Sequence, residues 1–511
     1  MYVNNKLLVG KNDDFEAYLL PKMANRHGII TGASGSGKTV TLKVLAESFS
    51  NAGIPVFLVD VKGDLAGMSL PGEMNENIAK RVEKLKLESF EVKSFPTNYF
   101  DVYGKNGIPI RTTVKDLGPR LLSRMLDLSD AQEGVLTVAF KIAEDTNKEL
   151  IDLNDLRNHL VEVADKRKEY SLTYGNITTQ SVGSIQRNIL ALQEDGGDDF
   201  FGKPSFNIKD FIHFDENNGY GFINILDAVT LFRKPNLYVS FLLWLLNTIY
   251  DTMTEVGDLN KPKLIFFFDE AHLLFNEMPE GIIKSVIQIV KLIRSKGVGI
   301  YFISQTPSDI PDEILSQLGN RIQHVLRSYT RNDEKAVKAA ANSFRANPNF
   351  NTEEVIKTLA TGEALVSFQN EIGEPTITEK VTILPPQSKM GTIDDLTRQD
   401  FIKKSHLYSN YEKREEIVKP VEEKKEVLFE HTKEVQEEKT MLDIDTQPRI
   451  KLQTQKEEVE VKQQPASETK VKKQVGRPKK SATEKFTDRV ISTTGNGVGK
   501  LIVKGLKNLF K

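Results

Sequence analysis

Residues 32 to 39, Gly32-Ala33-Ser34-Gly35-Ser36-Gly37-Lys38-Thr39, put three glycines, a lysine and a hydroxyl between a short apolar run and an amphipathic stretch. The spacing G-x-x-x-x-G-K-[ST] is that of a phosphate-binding loop. Glycines at 32, 35 and 37 permit positive φ and bring backbone N–H groups close to phosphate oxygens. Lys38 would reach the β- and γ-phosphates, and Thr39 would place its hydroxyl on Mg²⁺. Ala33, Ser34, Ser36 and Val40 complete the candidate contacts, and the helix that follows points the positive end of its dipole at the anion. The implied ligands are ATP and Mg²⁺.

Binding a nucleotide is not hydrolysing it, and a second stretch bears on that. In LIFFFDEAH (264–272) an apolar run ends in Asp269-Glu270. Open α/β sheets bind ligands at the carboxyl ends of their strands. There Asp269 would hold Mg²⁺ through its water shell, and Glu270 would orient and polarise the attacking water. The plain alternative is an acidic turn after a strand. In GIYFISQTPSDIP (299–311), Gln305 follows another buried run. It is a candidate sensor for the γ-phosphate and the lytic water, or else a loop-capping amide.

These residues need elements to hold them. His27–Thr31, Ile54–Val59, Phe222–Leu226, Leu264–Phe268, Gly299–Ser304, Ile322–Leu326 and Ala364–Phe368 are short and continuously apolar. That pattern predicts strands buried on both faces, as in a parallel sheet flanked by helices. Helical periodicity covers Val40–Ser50, Leu231–Glu255 and Gly281–Ser295. The alternation predicts an α/β fold with a mostly parallel sheet. Residues 1–64 and 221–390 are read as two parts of one core, and 65–220 as a mainly helical insertion. A charged, disordered linker is expected over 391–470, and a basic tail with an amphipathic helix over 471–511.

Composition narrows the classes further. The 511 residues are 39% hydrophobic and 27% charged, with net charge −2 and no cysteine. Disulfides and thiolate metal sites are excluded, and a reducing, cytoplasmic setting is expected. The N-terminal stretch lacks the basic-then-apolar order of a secretory signal. Asn236–Tyr250 is apolar but shorter than the roughly 20 residues of a membrane span, so a core helix is expected.

With these pieces in this order, the chain resembles the HerA–FtsK superfamily of P-loop motor ATPases, and within it the HerA-like YjgR group. The resemblance rests on GASGSGKT, VDVKGDL (59–65), LIFFFDEAH, YFISQTPSDIP, LGNRI (318–322) and TGEALVSF (361–368), and covers residues 20 to about 390. It implies a RecA-like core in which the sensor strand separates the strand bearing the glutamate from that of the phosphate loop. It also implies a homo-oligomer, hexameric in many members, translocating on double-stranded DNA through a central channel. Gln305 matches the sensor position, and Asp60, Lys62 and Asp64 match a motif near the nucleotide. An arginine is expected to neutralise charge on the γ-phosphate; Arg321 is the first candidate, followed by Arg327 and Arg331. HerA helicases carry a β-barrel ahead of the loop, whereas 31 residues precede Gly32 here, enough for one or two strands or a short lid.

Residues 471–511 hold 11 Lys or Arg against 2 Asp or Glu. Gly476-Arg477-Pro478-Lys479-Lys480 resembles a minor-groove hook, with solvated charge or nonspecific phosphate attraction as alternatives. The closing GKLIVKGLKNLFK suits a helix docking on a protein partner, on DNA or on an anionic surface. Two functions are therefore expected to compete: a DNA motor, and a regulatory or scaffolding ATPase whose nucleotide state switches partner binding.

Overall fold

The computed structural model describes residues 1–257, 259–276 and 280–415. Thirteen strands form one sheet among them: β1 (Tyr2–Val3), β2 (Lys6–Lys11), β3 (Glu16–Leu19), β4 (Gly28–Thr31), β5 (Val56–Asp60), β6 (Thr97–Asp101), β7 (Ile108–Pro109), β8 (Ile223–Asp227), β9 (Leu264–Phe268), β10 (Val298–Ser304), β11 (Asn320–Gln323), β12 (Glu363–Ser367) and β13 (Glu379–Ile383). Their order is β1-β2-β13-β12-β11-β4-β10-β9-β5-β8-β6-β7, with β3 paired to β2. The run from β11 to β7 is parallel throughout. From β11 through β12, β13 and β2 the pairing is antiparallel.

The central strands are buried along their whole length, as continuous apolar runs covered on both faces require. Their aromatic side chains interlock across the sheet. Phe268 stacks on Phe302 at 5.7 Å, Phe267 lies 5.2 Å from Tyr301, and Phe49 packs edge-on to Tyr301 at 5.8 Å. Gly28 is needed beside this layer, because a Cβ there would sit 2.4 Å from the Tyr301 ring. The helix Pro235–Thr252 is buried along most of its length, in keeping with a core helix. Among the described residues no helix is long and apolar enough to cross a membrane.

Several sequence expectations shift in place. The strand expected at Ile322–Leu326 begins earlier, at Asn320. The Asn320 amide there donates to the carbonyls of Met23 and His27, each at 3.0 Å, and extends the pairing with β4. Ahead of β4 the chain gives three strands, where one or two were expected, and a short 3-10 turn, Pro21–Arg26. Residues 65–220 carry the helices Val114–Met125, Asp130–Asp145, Leu153–Asp165, Arg167–Tyr174 and Thr179–Glu194. The same stretch also supplies β6 and β7, which extend the parallel sheet beyond β8.

Residues 391–415, placed with the charged linker by composition, instead include the helices Asp395–Lys404 and Tyr408–Tyr411. They dock through specific polar contacts. Arg398 pairs with Asp227 at 2.9 Å, and Arg111 donates to the Tyr411 carbonyl at 2.8 Å. The rest of the expected linker and the basic tail lie outside the described residues.

Candidate functional site

The loop after β4 takes the backbone that its glycines allow, with φ of 153° at Gly32, 72° at Gly35 and 113° at Gly37. It opens into the helix Lys38–Asn51, for which Gly37 is the N-cap. The strands on either side hold the loop in place. The Gly32 N–H donates to the Gln305 carbonyl at 3.1 Å, and the Ala33 N–H to the Val325 carbonyl at 2.8 Å. Behind it sits His324, fully buried. Its Nε2 meets the Thr41 hydroxyl at 2.8 Å, and its Nδ1 meets the Glu363 carbonyl at 2.8 Å. Burial pulls this imidazole down to about 4. A Cβ on Gly32 would come within 2.5 Å of the His324 Cβ.

Lys38 is buried, and its ammonium donates to two carbonyls of its own loop, Gly32 at 2.6 Å and Ala33 at 3.1 Å. Burial holds it below the ordinary lysine value, with the Glu270 charge opposing. Thr39 and Val40 are half-buried at the first turn, whereas Ser34 and Gly35 are exposed at the loop's tip. The Ser36 hydroxyl is buried without a hydrogen-bond partner.

Two strands away, β9 delivers the acid pair to the same edge. Its register with β10 sets Phe268 level with Phe302, while Ser304 is level with Thr31 of β4. Strands lie about 4.8 Å apart, so the acids stand roughly 10 Å across the sheet from the loop's strand. Asp269 is 5% exposed, and burial pushes it up to about 6 against the opposing pull of Lys62. Glu270 takes φ of 49°, a left-handed conformation costly for a residue with a Cβ. Its N–H donates to Asp269 Oδ1 at 2.9 Å, which fixes the turn. Glu270 Oε1 is ion-paired with Lys62, whereas the buried Oε2 faces His272 Nδ1 at 3.3 Å without hydrogen-bond geometry.

The turn after β5 brings Lys62 there. Asp60 is buried and accepts from the Gly63 and Leu65 N–H groups at 2.7 and 3.0 Å, and burial pushes it up to about 6. Asp64 Oδ1 is a further buried oxygen without a partner. Gln305 lies exposed at the tip of β10, between the loop and the acids. Asp309 shapes that turn by accepting from the Thr306 N–H at 2.9 Å and from the Ser304 hydroxyl.

Arg321 is placed differently. It pairs with Ile29, three residues short of Gly32 and so about 10 Å back along the strand. Its guanidinium donates to the carbonyls of Leu318 and Leu315 at 3.1 and 3.0 Å. Arg327 and Arg331 are exposed beyond the end of β11. Sequence reasoning missed His324, which looks like any member of an apolar run. It also missed Asp309 and the contact of Gly362 with the loop. The Gly362 N–H donates to the Ser36 carbonyl at 3.0 Å, and the only signal was Thr-Gly before an apolar stretch.

A loop of this form leading from a central parallel strand into a helix, with one strand between it and an acid-tipped strand, defines the core of a RecA-like P-loop NTPase. The chain belongs to the Helicase HerA-like C-terminal family, whose model matches residues 5–510. A probable helicase of Methanocaldococcus jannaschii is 22% identical over 353 residues, 68% of this chain and 64% of that protein. The DNA double-strand break repair helicase HerA of Sulfolobus acidocaldarius is 23% identical over 379 residues, 72% of this chain and 67% of that protein. The chain thus spans about two-thirds of the length of these relatives. Among solved structures, VirB4 of Thermoanaerobacter pseudethanolicus superposes with TM-score 0.47 and 16% identity, covering 75% of this chain and 97% of that one. The conjugative coupling protein TrwB gives 0.46 and 16%, covering 72% and 87%.

Proposed function

We propose that this chain binds ATP with Mg²⁺, hydrolyses it, and uses the hydrolysis to move on DNA. The observation that carries the reading is the meeting of Lys38 and the Asp269–Glu270 pair at one edge of one sheet, with β10 between them. The site suits a magnesium nucleotide. A buried lysine sits in a glycine-rich loop at a helix N-terminus, the Ser36 hydroxyl is buried without a hydrogen bond, and the acid pair already draws an ammonium. Thr39 and Asp269 would hold the metal, which neutralises charge on the phosphate oxygens.

The rest is the work of the chain's own side chains. Lys38 exchanges its two carbonyl acceptors for phosphate oxygens. Glu270 accepts the proton of the attacking water at its carboxylate. Gln305 orients that water from the neighbouring strand tip. Action on DNA is supported by the family and by the repair helicases among its relatives; assembly into a ring is part of the same proposal.

The test combines two variants with one substrate. Lys38→Ala should abolish tight ATP binding in calorimetry, because the phosphate charge loses its main counter-ion. Glu270→Gln should still bind ATP but turn over about 10²–10⁴-fold more slowly. Duplex DNA should stimulate the wild-type rate, and added salt should erase that stimulation steeply. A rate indifferent to duplex, with both variants behaving as stated, would leave a switch ATPase in place of the motor.

A further inference from the structure

We propose that Lys62 is an exchangeable counter-ion for the acid pair. Its ammonium and a divalent cation compete for Asp269 and Glu270, so Glu270 is released only when the metal–nucleotide complex arrives. The inference rests on the ATP-binding reading above and assigns a device within that site.

The argument starts from charge. Asp269 and Glu270 are both deeply placed, with side chains 5% and 11% exposed, and carboxylates so placed need a positive partner. Lys38 is not that partner, because its ammonium is turned onto the Gly32 and Ala33 carbonyls. Lys62 is: it contacts Glu270 directly and stands 3.9 Å from Asp269. It therefore lies where a cation shared by the two acids would lie.

Its setting is that of a guest. Lys43, a structural lysine nearby, is fully buried and donates to the Lys389 carbonyl at 2.7 Å. Lys62 keeps 45% of its side chain in solvent, so withdrawing it restores hydration to a group that is already half wet. The backbone beneath it is fixed by the two Asp60 hydrogen bonds at 63 and 65. Only the side chain has to swing. One ammonium also serves the pair incompletely, since Glu270 Oε2 faces only the His272 Nδ1, at 3.3 Å and without hydrogen-bond geometry. A divalent ion with its water shell brings twice the charge and more donors, so it wins the exchange when the triphosphate binds with it. Until then Glu270 is held in an ion pair and cannot serve the attacking water.

The experiment measures Mn²⁺ alone binding to the full chain by electron paramagnetic resonance, in wild type, Lys62→Met and Lys62→Arg. Lys62→Met should bind Mn²⁺ at least tenfold more tightly than wild type, and Lys62→Arg should stay near wild type. Adding Asp269→Asn to Lys62→Met should remove the gain, which places the ion at the acid pair. Calorimetry with Mg²⁺ and a non-hydrolysable ATP analogue should show Lys62→Met at wild-type affinity or tighter. Unchanged Mn²⁺ affinity in Lys62→Met, or a tenfold loss of analogue affinity, would overturn the proposal; the second result would make Lys62 a phosphate ligand. Failure of wild type to bind the analogue would instead sink the ATP reading, and the Mn²⁺ arm would still decide on Lys62.

Discussion

His27 immediately precedes the strand that leads into the phosphate loop, and it is buried where a charge is not tolerated. Its Nδ1 accepts from the Ile300 N–H at 3.0 Å, its φ is 55°, and burial pulls it down to about 4. The native pKa thus lies below the unfolded value near 6.5. The neutral ring's contribution is complete above pH 6.5 and is lost as pH falls towards 4, because only the unfolded chain takes up the proton. Asn can keep both the acceptor and the positive φ. His27→Asn should lose packing at pH 7, but its deficit against wild type should shrink by about 2 kcal/mol between pH 7 and pH 5. Urea melts of both proteins at the two pH values measure this. The comparison cancels the opposite trend of Asp60 and Asp269, which burial raises. An equal deficit at both would mean that the imidazole is not held neutral.

At the scale of elements, the loop's helix is clamped from behind by the chain that follows β13. Glu47 is buried and accepts from the N–H groups of Gln387 and Ser388 at 2.8 and 3.0 Å, and from the Ser388 hydroxyl. Glu47→Ala would strand those donors and take from Lys43 the strongest of its acidic neighbours, leaving Asp64 and Asp60. A loss of about 3 kcal/mol is expected, with residues 384–394 becoming cleavable in limited proteolysis. Stability within 1 kcal/mol of wild type would show that the strap is held by packing alone. This clamp was not legible in the sequence, where KVLAESF reads only as an amphipathic helix and Gln387-Ser388 as the end of the core. The central strands were legible, because burial on both faces demands unbroken apolar runs such as LIFFF. β6, with its sequence TNYFD, and the two-residue β1 and β7 offer no such run. Likewise the chain after 390 is polar enough to pass for linker, yet single pairs such as Arg398–Asp227 dock it. The loop and the acid pair were legible because their chemistry fixes residue type and spacing; His324 and Lys62's ion pair depend on strand order, which local pattern does not encode.

For the whole molecule, the parallel block sends the carboxyl ends of β4, β5, β9 and β10 to one edge, so four separate stretches of sequence converge on one charge cluster. An arginine acting on that cluster must reach the same edge, from this chain or from another copy. Arg321 stands back from it, and its guanidinium is spent on the Leu315 and Leu318 carbonyls. Arg327 follows Val325, the residue whose carbonyl holds the loop at Ala33, and it is exposed. Arg331 is exposed at the start of the next helix. The placement separates the three roles. Arg321→Ala should lower the melting temperature, because two carbonyls lose their donor, while turnover per folded molecule stays within a few-fold of wild type. Arg327→Ala or Arg331→Ala should leave the fold and ATP affinity intact but cut turnover by about 10³-fold or more, the scale of a transition-state arginine. If the arginine serves a neighbouring copy, mixing that variant with Glu270→Gln should restore turnover, since such a pair contains sites with an intact glutamate facing an intact arginine. No recovery on mixing would place the arginine in its own chain's site, and a collapse of turnover in Arg321→Ala alone would return that role to β11.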